Sequence, residues 1–181
     1  MGHRLNRERC RRNRQAVRSA WPYVTPLIQT EEFTIGAGTV CVRITLEDGA
    51  VAPCYQTDGA SGMDLRSIED CELKPLERRL VRTGVRVAIP GGYEGQVRPR
   101  SGLALKHGIS MVNSPGTIDS DYRGEISVIL INLSDERVRL EAGERIAQLV
   151  IAPVAKAVVA VMAELDETTR GGGGFGSTGT K

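Results

Sequence analysis

The sequence predicts an all-β fold for most of this 181-residue chain. Three observations support the prediction. From about residue 40, the chain is a series of short segments rich in β-branched residues, and each is ended by Gly, Pro, Asn or Asp. These segments recur at near-regular spacing. Only residues 101–107 leave room for a helical turn or two. Many short strands of this kind are typical of a sandwich, a barrel or a jelly roll.

The strands are predicted one by one from alternation and from their boundaries. In CVRITLE (41–47), Val42, Ile44 and Leu46 alternate with polar residues and share one strand face. The further predicted strands are RVAI (86–89), YEGQVR (93–98), GISMVN (108–113), EISVILIN (125–132), ERVRLE (136–141) and RIAQLVIAPV (145–154). NLSDE (132–136) is a predicted turn, and SGLALKH (101–107) is the predicted helix.

The segment GTIDSDYRGEI (116–126) is predicted to be the tip of a β-hairpin, because apolar strand sequence lies on both sides of it. It carries Tyr122 in a chain with only four Tyr, two Phe and one Trp. Loops at strand ends are where rigid scaffolds commonly place binding and catalytic residues. Asp119 and Tyr122 are therefore either functional residues or simple turn formers.

Charge is distributed unevenly along the chain. Residues 1–18 contain seven of the 24 Lys and Arg residues and one of the 22 acids, which leaves 17 basic and 21 acidic residues in the remainder. The core is therefore mildly acidic, and no nucleic-acid binding is expected of it. No apolar run approaches the roughly 20 residues that span a bilayer, so no membrane role is expected.

Residues 1–38 are predicted to be a basic, disordered extension, because they lack sustained strand or helix periodicity. An organelle transit peptide, a nucleic-acid-binding tail and a start site assigned too far upstream are the alternatives. Cys10, Cys41, Cys54 and Cys71 form no CxxC pair, and the chain has only two His, so neither a zinc site nor a disulfide framework is predicted. Scattered thiols suit a reducing compartment, and a cytoplasmic location is expected.

The β domain is predicted to span 39–163 and to be followed by a mobile arm, 164–181. The arm contains RGGGGFGSTG (170–179), and glycine loses the most backbone entropy on ordering. Phe175 is a poor core residue in such a segment, so it is predicted to stack on a ligand. The many backbone N–H groups also favour phosphate. The arm is not a Walker A loop, because no Lys precedes Ser177.

Three other stretches carry candidate site residues. GASGMDLRS (59–67) is predicted to be a glycine-flanked turn into a strand that presents Asp64, and taken alone this stretch favours a plain turn carboxylate. In RPRSGLALKHG (98–108), Arg100, Ser101 and Gly102 open the predicted helix, where free N–H groups favour an anion. A plain N-cap role for Ser101 is the alternative. In RIAQLV (145–150), Arg145 and Gln148 could equally be an ordinary exposed strand face.

Together these stretches resemble the trimeric deoxyuridine triphosphatases (dUTPases), whose five motifs appear here in order across residues 41–181. The motifs are GMDLRS, PRSGLA, GTIDSDYRGE, RIAQLV and RGGGGFGSTG. The resemblance implies a jelly-roll-like distorted β-barrel, assembled as a homotrimer with shared active sites and a mobile C-terminal arm. The implied activity is hydrolysis of dUTP to dUMP and pyrophosphate, which limits uracil in DNA and supplies dUMP for dTMP synthesis.

The resemblance also implies residue roles. Asp119 corresponds to the carboxylate that activates water for attack on the α-phosphorus, and Tyr122 to the ring that excludes a ribose 2′-hydroxyl. Arg170 corresponds to a catalytic charge clamp. The implied substrate contacts are Asn113, Gly116, Thr117 and Ile118 for uracil; Arg100, Ser101, Gly102 and Gln148 for the triphosphate; and Phe175, Gly176 and Ser177 from the arm. Ser127 stands where many relatives have a longer side chain, and no role is assigned to it.

The resemblance implies Mg²⁺ as the cofactor. Mg²⁺ is commonly held through substrate phosphates, so no direct protein ligand is expected, and Asp64 is expected to act through water. Two alternatives remain. A dCTP deaminase of similar fold would need a Glu on the strand after the hairpin, whereas EISVILIN has no acid after Glu125. A nucleotide-binding trimer without turnover is the other.

Overall fold

The computed structural model describes residues 39–174, and it is almost entirely β-structure in this range. The strands are β1 (Arg43–Leu46), β2 (Met63–Arg66), β3 (Cys71–Leu73), β4 (Arg78–Ala88), β5 (Tyr93–Arg98), β6 (Ile109–Met111), β7 (Gly116–Ile118), β8 (Glu125–Asn132), β9 (Val138–Leu140) and β10 (Arg145–Pro153). The one helix in this range, α1, spans Ser101–His107.

The strands form three antiparallel sheets. The first has the order β1-β4-β8-β6, the second has the order β2-β10-β5-β7, and β3 pairs with β9 in a small third sheet. Neighbours within each sheet are far apart in sequence, as in the pairing of β2 with β10. The result is the predicted jelly-roll-like architecture, in which distant motifs become adjacent strands.

The core lies between the inner faces of the sheets. β8 illustrates why the sequence folds this way, because Ile126, Val128 and Leu130 alternate along it and are fully buried. They pack with Val81 and Val85 of β4 and with apolar residues of the other sheets. Asn132, at the end of β8, is buried too, but its side chain is hydrogen-bonded to the Leu73 and Glu136 carbonyl oxygens.

The second half of the outer face of β8 is apolar as well, whereas Glu125 and Ser127 occupy the first half. Ile129 and Ile131 alternate with the core residues, and Ile129 pairs with Leu80 of β4, which is 59% exposed. Beyond β10, residues 154–174 form neither helix nor strand. This segment carries Val158, Val159, Val161, Met162 and Leu165, and each of them is largely exposed. A single chain thus leaves two apolar surfaces without cover from its own described residues.

Most predicted elements are present. α1 and β5 have the predicted bounds, β8 is as predicted, and the strands predicted around β1, β6, β9 and β10 are observed. Three parts were not predicted from the sequence: β3, β7 and the first eight residues of the long strand β4 (78–85). In the described range, no helix is long and apolar enough to cross a membrane.

The segment 116–126 lies between two strands that pair with each other. β6 and β8 are antiparallel neighbours in the first sheet, as the hairpin prediction implies. The connection between them is longer than a simple hairpin tip, because its residues 116–118 form β7, which pairs with β5 in the second sheet. Local alternation identifies β6 and β8 but gives no sign of this additional pairing.

Candidate active site

Asp64 lies at the centre of a group that we call the arginine cluster: the predicted site residues Asp64, Arg100 and Gln148 together with Arg145, which was not predicted. Asp64 Oδ1 is 3.3 Å from Arg100 Nε, and Asp64 Oδ2 accepts a hydrogen bond of 3.0 Å from Arg145 Nη1. Arg100 Nη1 also donates to the Arg145 carbonyl oxygen at 2.9 Å. The Asp64 side chain is only 11% exposed, so the carboxylate orients both guanidinium groups from a mostly buried position.

Strand pairing brings Gln148 into the same group. Gln148 lies opposite Asp64 in the β10–β2 pair and opposite Arg98 in the β10–β5 pair. Its Nε2 donates to the Pro99 carbonyl oxygen at 3.2 Å. Gly62 leaves room for it, because a methyl group on Gly62 would lie 2.8 Å from Gln148 Oε1. Asp64, Arg100 and Gln148, which come from three separate motifs, are thus brought together.

Arg145 joins the cluster because of an irregularity in β10. Residues three apart on a regular strand point to opposite faces, so Arg145 and Gln148 would not be neighbours. The register shifts between Arg145 and Ala147, as in a β-bulge, and the Arg145 side chain reaches Asp64 while Gln148 lies opposite Asp64. Arg145 was therefore not predicted as a site residue. The only feature of the sequence that could have indicated it is its position as the first residue of RIAQLV.

The start of α1 lies next to the cluster. Arg100 is the N-cap residue, with extended backbone at φ −97° and ψ 126°, and no side chain caps the helix. Ser101 is therefore the first helical residue, and the alternative of a plain Ser101 N-cap is wrong. Ser101 and Gly102 are both exposed. Their N–H groups are accessible to a ligand anion beside the arginine cluster.

A cavity of about 520 Å³ extends from the arginine cluster along α1 and the β9–β10 turn. Its lining residues are Arg66, Arg100, Leu103, His107, Val138, Arg139, Leu140, Glu141, Ala142, Gly143, Glu144 and Arg145. Four arginines line the cavity beside two glutamates, so the lining is predominantly basic. The 113–122 loop does not contribute to this lining. The predicted site thus has two parts within one chain, the arginine cluster with this cavity and the 113–122 loop, and only the first part borders the cavity.

The second part is the 113–122 loop, which contains β7. Gly116 is buried, and a methyl group on it would lie 3.1 Å from Asn113 Nδ2, so Asn113 packs closely over the Gly116 backbone. Thr117 pairs with Gln96 and Ile118 with Gly95 of β5. Three of the predicted uracil contacts, Gly116, Thr117 and Ile118, therefore lie on a strand fixed by the second sheet, and the fourth, Asn113, lies against Gly116.

Asp119 and Tyr122 follow β7 directly. The Tyr122 N–H donates to the Asp119 carbonyl oxygen at 3.1 Å and forms the turn between the sheets. Asp119 is exposed, and this described contact uses its backbone and not its carboxylate. Tyr122 is 44% exposed, and its Oη donates to the Glu125 carbonyl oxygen at 3.0 Å. One carboxylate and one aromatic ring thus face solvent side by side.

Glu125 fixes the far end of this turn to β4. Its Oε1 accepts the Gly84 N–H at 2.7 Å, and its Oε2 pairs with Arg82 at 3.0 Å. Arg82 also pairs with Glu47, which Arg86 contacts as well. The hydrogen bonds from Arg86 and then from Arg82 lower the pKa of Glu47, and those from Glu125 and Glu47 raise the pKa of Arg82. The turn is therefore attached to a charged network on the outer sheet face.

The C-terminal motif is only partly described. Arg170 is exposed, and its Nε donates to the Gly173 carbonyl oxygen at 2.8 Å within a turn. The predicted contacts Phe175, Gly176 and Ser177 lie outside the described residues, as does the extension 1–38. Between residues 39 and 174, no group of three or more His, Cys, Asp or Glu side chains is arranged to hold a metal ion.

Comparisons with known proteins agree with the family resemblance that the five motifs indicate. The sequence matches the dUTPase family over residues 48–179. It is 61% identical over 127 residues to a deoxyuridine 5′-triphosphate nucleotidohydrolase of Anaeromyxobacter sp. (strain Fw109-5), a match that covers 70% of this chain and 86% of that protein. The corresponding protein of Hydrogenobaculum sp. (strain Y04AAS1) is 59% identical over 137 residues, with coverage of 75% and 95%.

A solved structure shows the same similarity. The dUTPase of Staphylococcus bacteriophage 80alpha, determined with dUPNHPP, superposes with a TM-score of 0.73 at 29% sequence identity. The superposition covers 78% of this chain and 99% of the phage enzyme.

Proposed function

This chain belongs to the dUTPase family, and from that premise we propose how its residues hydrolyse dUTP. The chain is an enzyme of the nucleotidohydrolase type, and its activity is the hydrolysis of dUTP. We propose that water attacks the α-phosphorus, with dUMP and pyrophosphate as products. In a cell this reaction would limit uracil in DNA and supply dUMP for dTMP synthesis.

The observation that carries the proposed mechanism is the contrast between two carboxylates. Asp64 is mostly buried, and each of its oxygens faces an arginine. Asp119 is exposed and uses its backbone in its described contact. Both oxygens of the Asp64 carboxylate face guanidinium donors, whereas the exposed Asp119 carboxylate is accessible to a water molecule that a general base would contact. We therefore assign the general base to Asp119 and a positioning role to Asp64.

The arginine cluster and the start of α1 suit the triphosphate. Arg100, Arg145 and Gln148 present donors on one side of the cluster, and the exposed N–H groups of Ser101 and Gly102 add backbone donors. Preorganised donors of this kind stabilise charge that develops on phosphate oxygens during transfer. Arg145 is thus an addition to the predicted contacts Arg100, Ser101, Gly102 and Gln148.

The 113–122 loop suits the nucleoside. The backbone of Gly116, Thr117 and Ile118 is fixed by pairing with β5, so its donors and acceptors have constant positions. A fixed hydrogen-bonding edge discriminates strongly between bases that differ in donor and acceptor pattern, as uracil and cytosine do. We propose that Asn113 supports this edge and that Tyr122 excludes a 2′-hydroxyl group.

The residues of the arginine cluster are compatible with Mg²⁺ that is bound through the substrate phosphates. The Asp64 carboxylate still has lone pairs beyond those facing Arg100 and Arg145, so it can accept hydrogen bonds from coordinated water. When bound, Mg²⁺ would neutralise the negative charge of the triphosphate. The arginine cluster would orient the phosphates, and Asp119 would remove the proton from water. Neither role requires a residue of the chain to bind the metal directly.

We also propose a homotrimer with shared active sites. Two features support it: the apolar second half of the outer face of β8 and the exposed apolar residues of 154–174. Exposed apolar surfaces of this kind are typical of interfaces. The cavity beside the arginine cluster lacks the 113–122 loop, which would allow a second chain to supply it. In this arrangement, Arg170, Phe175, Gly176 and Ser177 would close over a nucleotide bound to other chains.

Product analysis in ¹⁸O-labelled water tests the function. The purified chain is incubated with dUTP, UTP or dCTP and Mg²⁺, and the products are resolved by mass spectrometry. We expect dUMP and pyrophosphate from dUTP, with the label in dUMP because attack is at the α-phosphorus. Label in pyrophosphate would contradict the site of attack. Ammonia released from dCTP would indicate a deaminase, and binding without turnover would indicate a non-catalytic trimer.

A further inference from the structure

The aromatic ring of Tyr122 lies directly on the backbone of Gly124. A methyl group on Gly124 would lie 2.5 Å from Tyr122 Cζ and 2.9 Å from Cε2, and closer still to Oη. These distances are shorter than carbon–carbon contact allows, so no residue other than glycine fits beneath the ring as it stands. The hydroxyl end of the ring thus contacts Gly124, while Tyr122 remains 44% exposed.

The backbone conformation at residue 124 does not explain why this residue is a glycine. The positive-φ residues of the described range are Leu76 and six glycines, Gly49, Gly84, Gly92, Gly108, Gly143 and Gly171. Gly124 is not among them, so its φ lies in a range that alanine adopts without strain. The space taken by the Tyr122 ring is therefore the constraint on residue 124.

The position of the ring is fixed from a second side. Tyr122 Oη donates to the Glu125 carbonyl oxygen, and the Glu125 side chain is attached to Gly84 and Arg82 of β4. The ring therefore spans residues 122–125 and is connected to the first sheet. With an alanine at 124, the cheapest relief is rotation of the exposed Tyr122 side chain, because the backbone is fixed by β8.

We propose that Gly124 is a specificity-determining position that acts through Tyr122. The glycine allows the hydroxyl end of the ring to lie against the backbone, and in this position the exposed part of the ring faces the nucleotide sugar. A side chain at 124 displaces the ring and opens space for a 2′-hydroxyl, so discrimination between dUTP and UTP falls. This inference rests on the proposed role of Tyr122 as the residue that excludes ribose.

A double-mutant cycle tests it. The ratio of kcat/KM for dUTP to kcat/KM for UTP is measured for the full chain and for Tyr122→Ala, Gly124→Ala and the double variant. We expect Gly124→Ala to lower the ratio about tenfold, the scale of small steric differences in a pocket. The double variant should match Tyr122→Ala, because the two residues act as one unit. Gly91→Ala is the matched control, since a methyl group there meets nothing within 4 Å.

The outcomes separate the inference from its premise. An unchanged ratio in Tyr122→Ala overturns both the sugar-excluding role and the proposal for Gly124. A lowered ratio in Tyr122→Ala with an unchanged ratio in Gly124→Ala overturns the proposal for Gly124 alone, as do additive losses in the double variant. If Gly124→Ala does not fold, recovery of folding in the double variant supports the ring contact, and equal loss in both overturns it.

Discussion

Arg145 and Asp64 form an ion pair of 3.0 Å across the β2–β10 strand pair, although 81 positions separate them in sequence. The register shift in β10 makes this pair possible, and Arg100 occupies the other oxygen of the same carboxylate. Asp64 therefore sets the relative positions of two guanidinium groups from different motifs. The predictions that follow from this arrangement and from the rest of the fold can each be measured on the purified protein.

Asp64→Asn should weaken nucleotide binding more than it slows the chemical step. The amide keeps the shape of the side chain but presents an N–H₂ group to one of the two arginines, so that guanidinium group loses its partner. We expect KM for dUTP to rise about tenfold, with a smaller change in kcat, as for loss of a charge-assisted hydrogen bond. Steady-state kinetics measure both. Glu72→Gln is the control, since it removes an exposed ion pair with Arg137, and neither residue lines the cavity. Equal effects of both variants would remove Asp64 from the site.

Asp119→Asn should abolish most turnover while leaving nucleotide binding intact. The amide cannot accept the proton from water, and a positioned general base contributes about 10²–10⁴ in rate. Single-turnover kinetics and equilibrium binding of a non-hydrolysable dUTP analogue separate the two steps. Asp121→Asn is the matched control, because Asp121 is an exposed carboxylate of the same turn. A kcat for Asp119→Asn close to that of the control would show that Asp119 is not the base.

Removal of residues 170–181 should leave a folded protein that binds dUTP and hydrolyses it slowly. No residue from 154 to 174 is buried, so the core does not depend on this segment. The rate contribution of an arginine clamp in related chemistry is about 10³–10⁵, which sets an upper guide for the loss. Rapid-quench kinetics give the chemical rate. Full activity after truncation would eliminate Arg170 from the mechanism.

Shared sites are tested by mixing chains. An arm-deleted chain carries an intact Asp119, and an Asp119→Asn chain carries an intact arm. In mixed trimers we expect a fraction of sites to combine the two intact parts and recover activity. An arm-deleted chain that also carries Asp119→Asn is the control, and its mixtures should stay inactive. Failure of the first mixture in trimers of verified mixed composition would show that each chain supplies its own arm.

Asn132→Ala should destabilise the fold without affecting the site directly. The amide is fully buried, donates to the Leu73 and Glu136 carbonyl oxygens and accepts from the Ser134 N–H. Its loss leaves several buried polar groups without partners, and we expect a cost of at least about 2 kcal/mol in the free energy of unfolding. Chemical denaturation at fixed protein concentration measures it. Ser134→Ala should cost clearly less, and an equal cost would contradict the central role of the amide.

Glu47→Gln should alter the pH dependence of stability. The pKa of Glu47 is lowered from 4.5 by Arg86 and Arg82, so its contribution is present above pH 4.5 and is lost as the pH falls through the lower folded-state value. We therefore expect the variant to be less stable than the parent near neutral pH and to converge with it in acid. Thermal unfolding from pH 7 to 3 measures this at low salt, because screening weakens exposed pairs. If the difference in stability between parent and variant were the same from pH 7 to pH 3, the ion pairs of Glu47 would not be its cause.

The sequence predicted those parts of the fold that depend on local pattern. EISVILIN gave β8 because its alternation has the period of a strand, and SGLALKH gave α1 with its observed bounds. β3 has only three residues and depends on pairing with β9, so it has little local signal. The register shift between Arg82 and Val85 interrupts the alternation in β4 and obscured most of that strand.

In the candidate active site, too, the features that depend on local sequence were predicted and those that depend on strand pairing were not. The motif order identified Asp64, Arg100 and Gln148, and the fold brings these residues together. Arg145 was missed because its position depends on a register shift that a simple two-residue period does not contain. The crossing from β7 to β8 between sheets was missed because the choice of strand partners depends on contacts far apart in sequence.

The apolar part of the outer face of β8, together with Leu80 of β4 and the nearby Val112, has a consequence for how the protein matures in a cell. A newly folded chain still exposes Leu80, at 59%, and Val112, at 53%. In the proposed trimer this face is covered only after chains meet, and the rate of meeting rises with the square of the chain concentration. Slow synthesis therefore prolongs the exposed stage, in which chaperones and proteases act on the single chain. The abundance of active enzyme should then increase more than proportionally with its rate of synthesis.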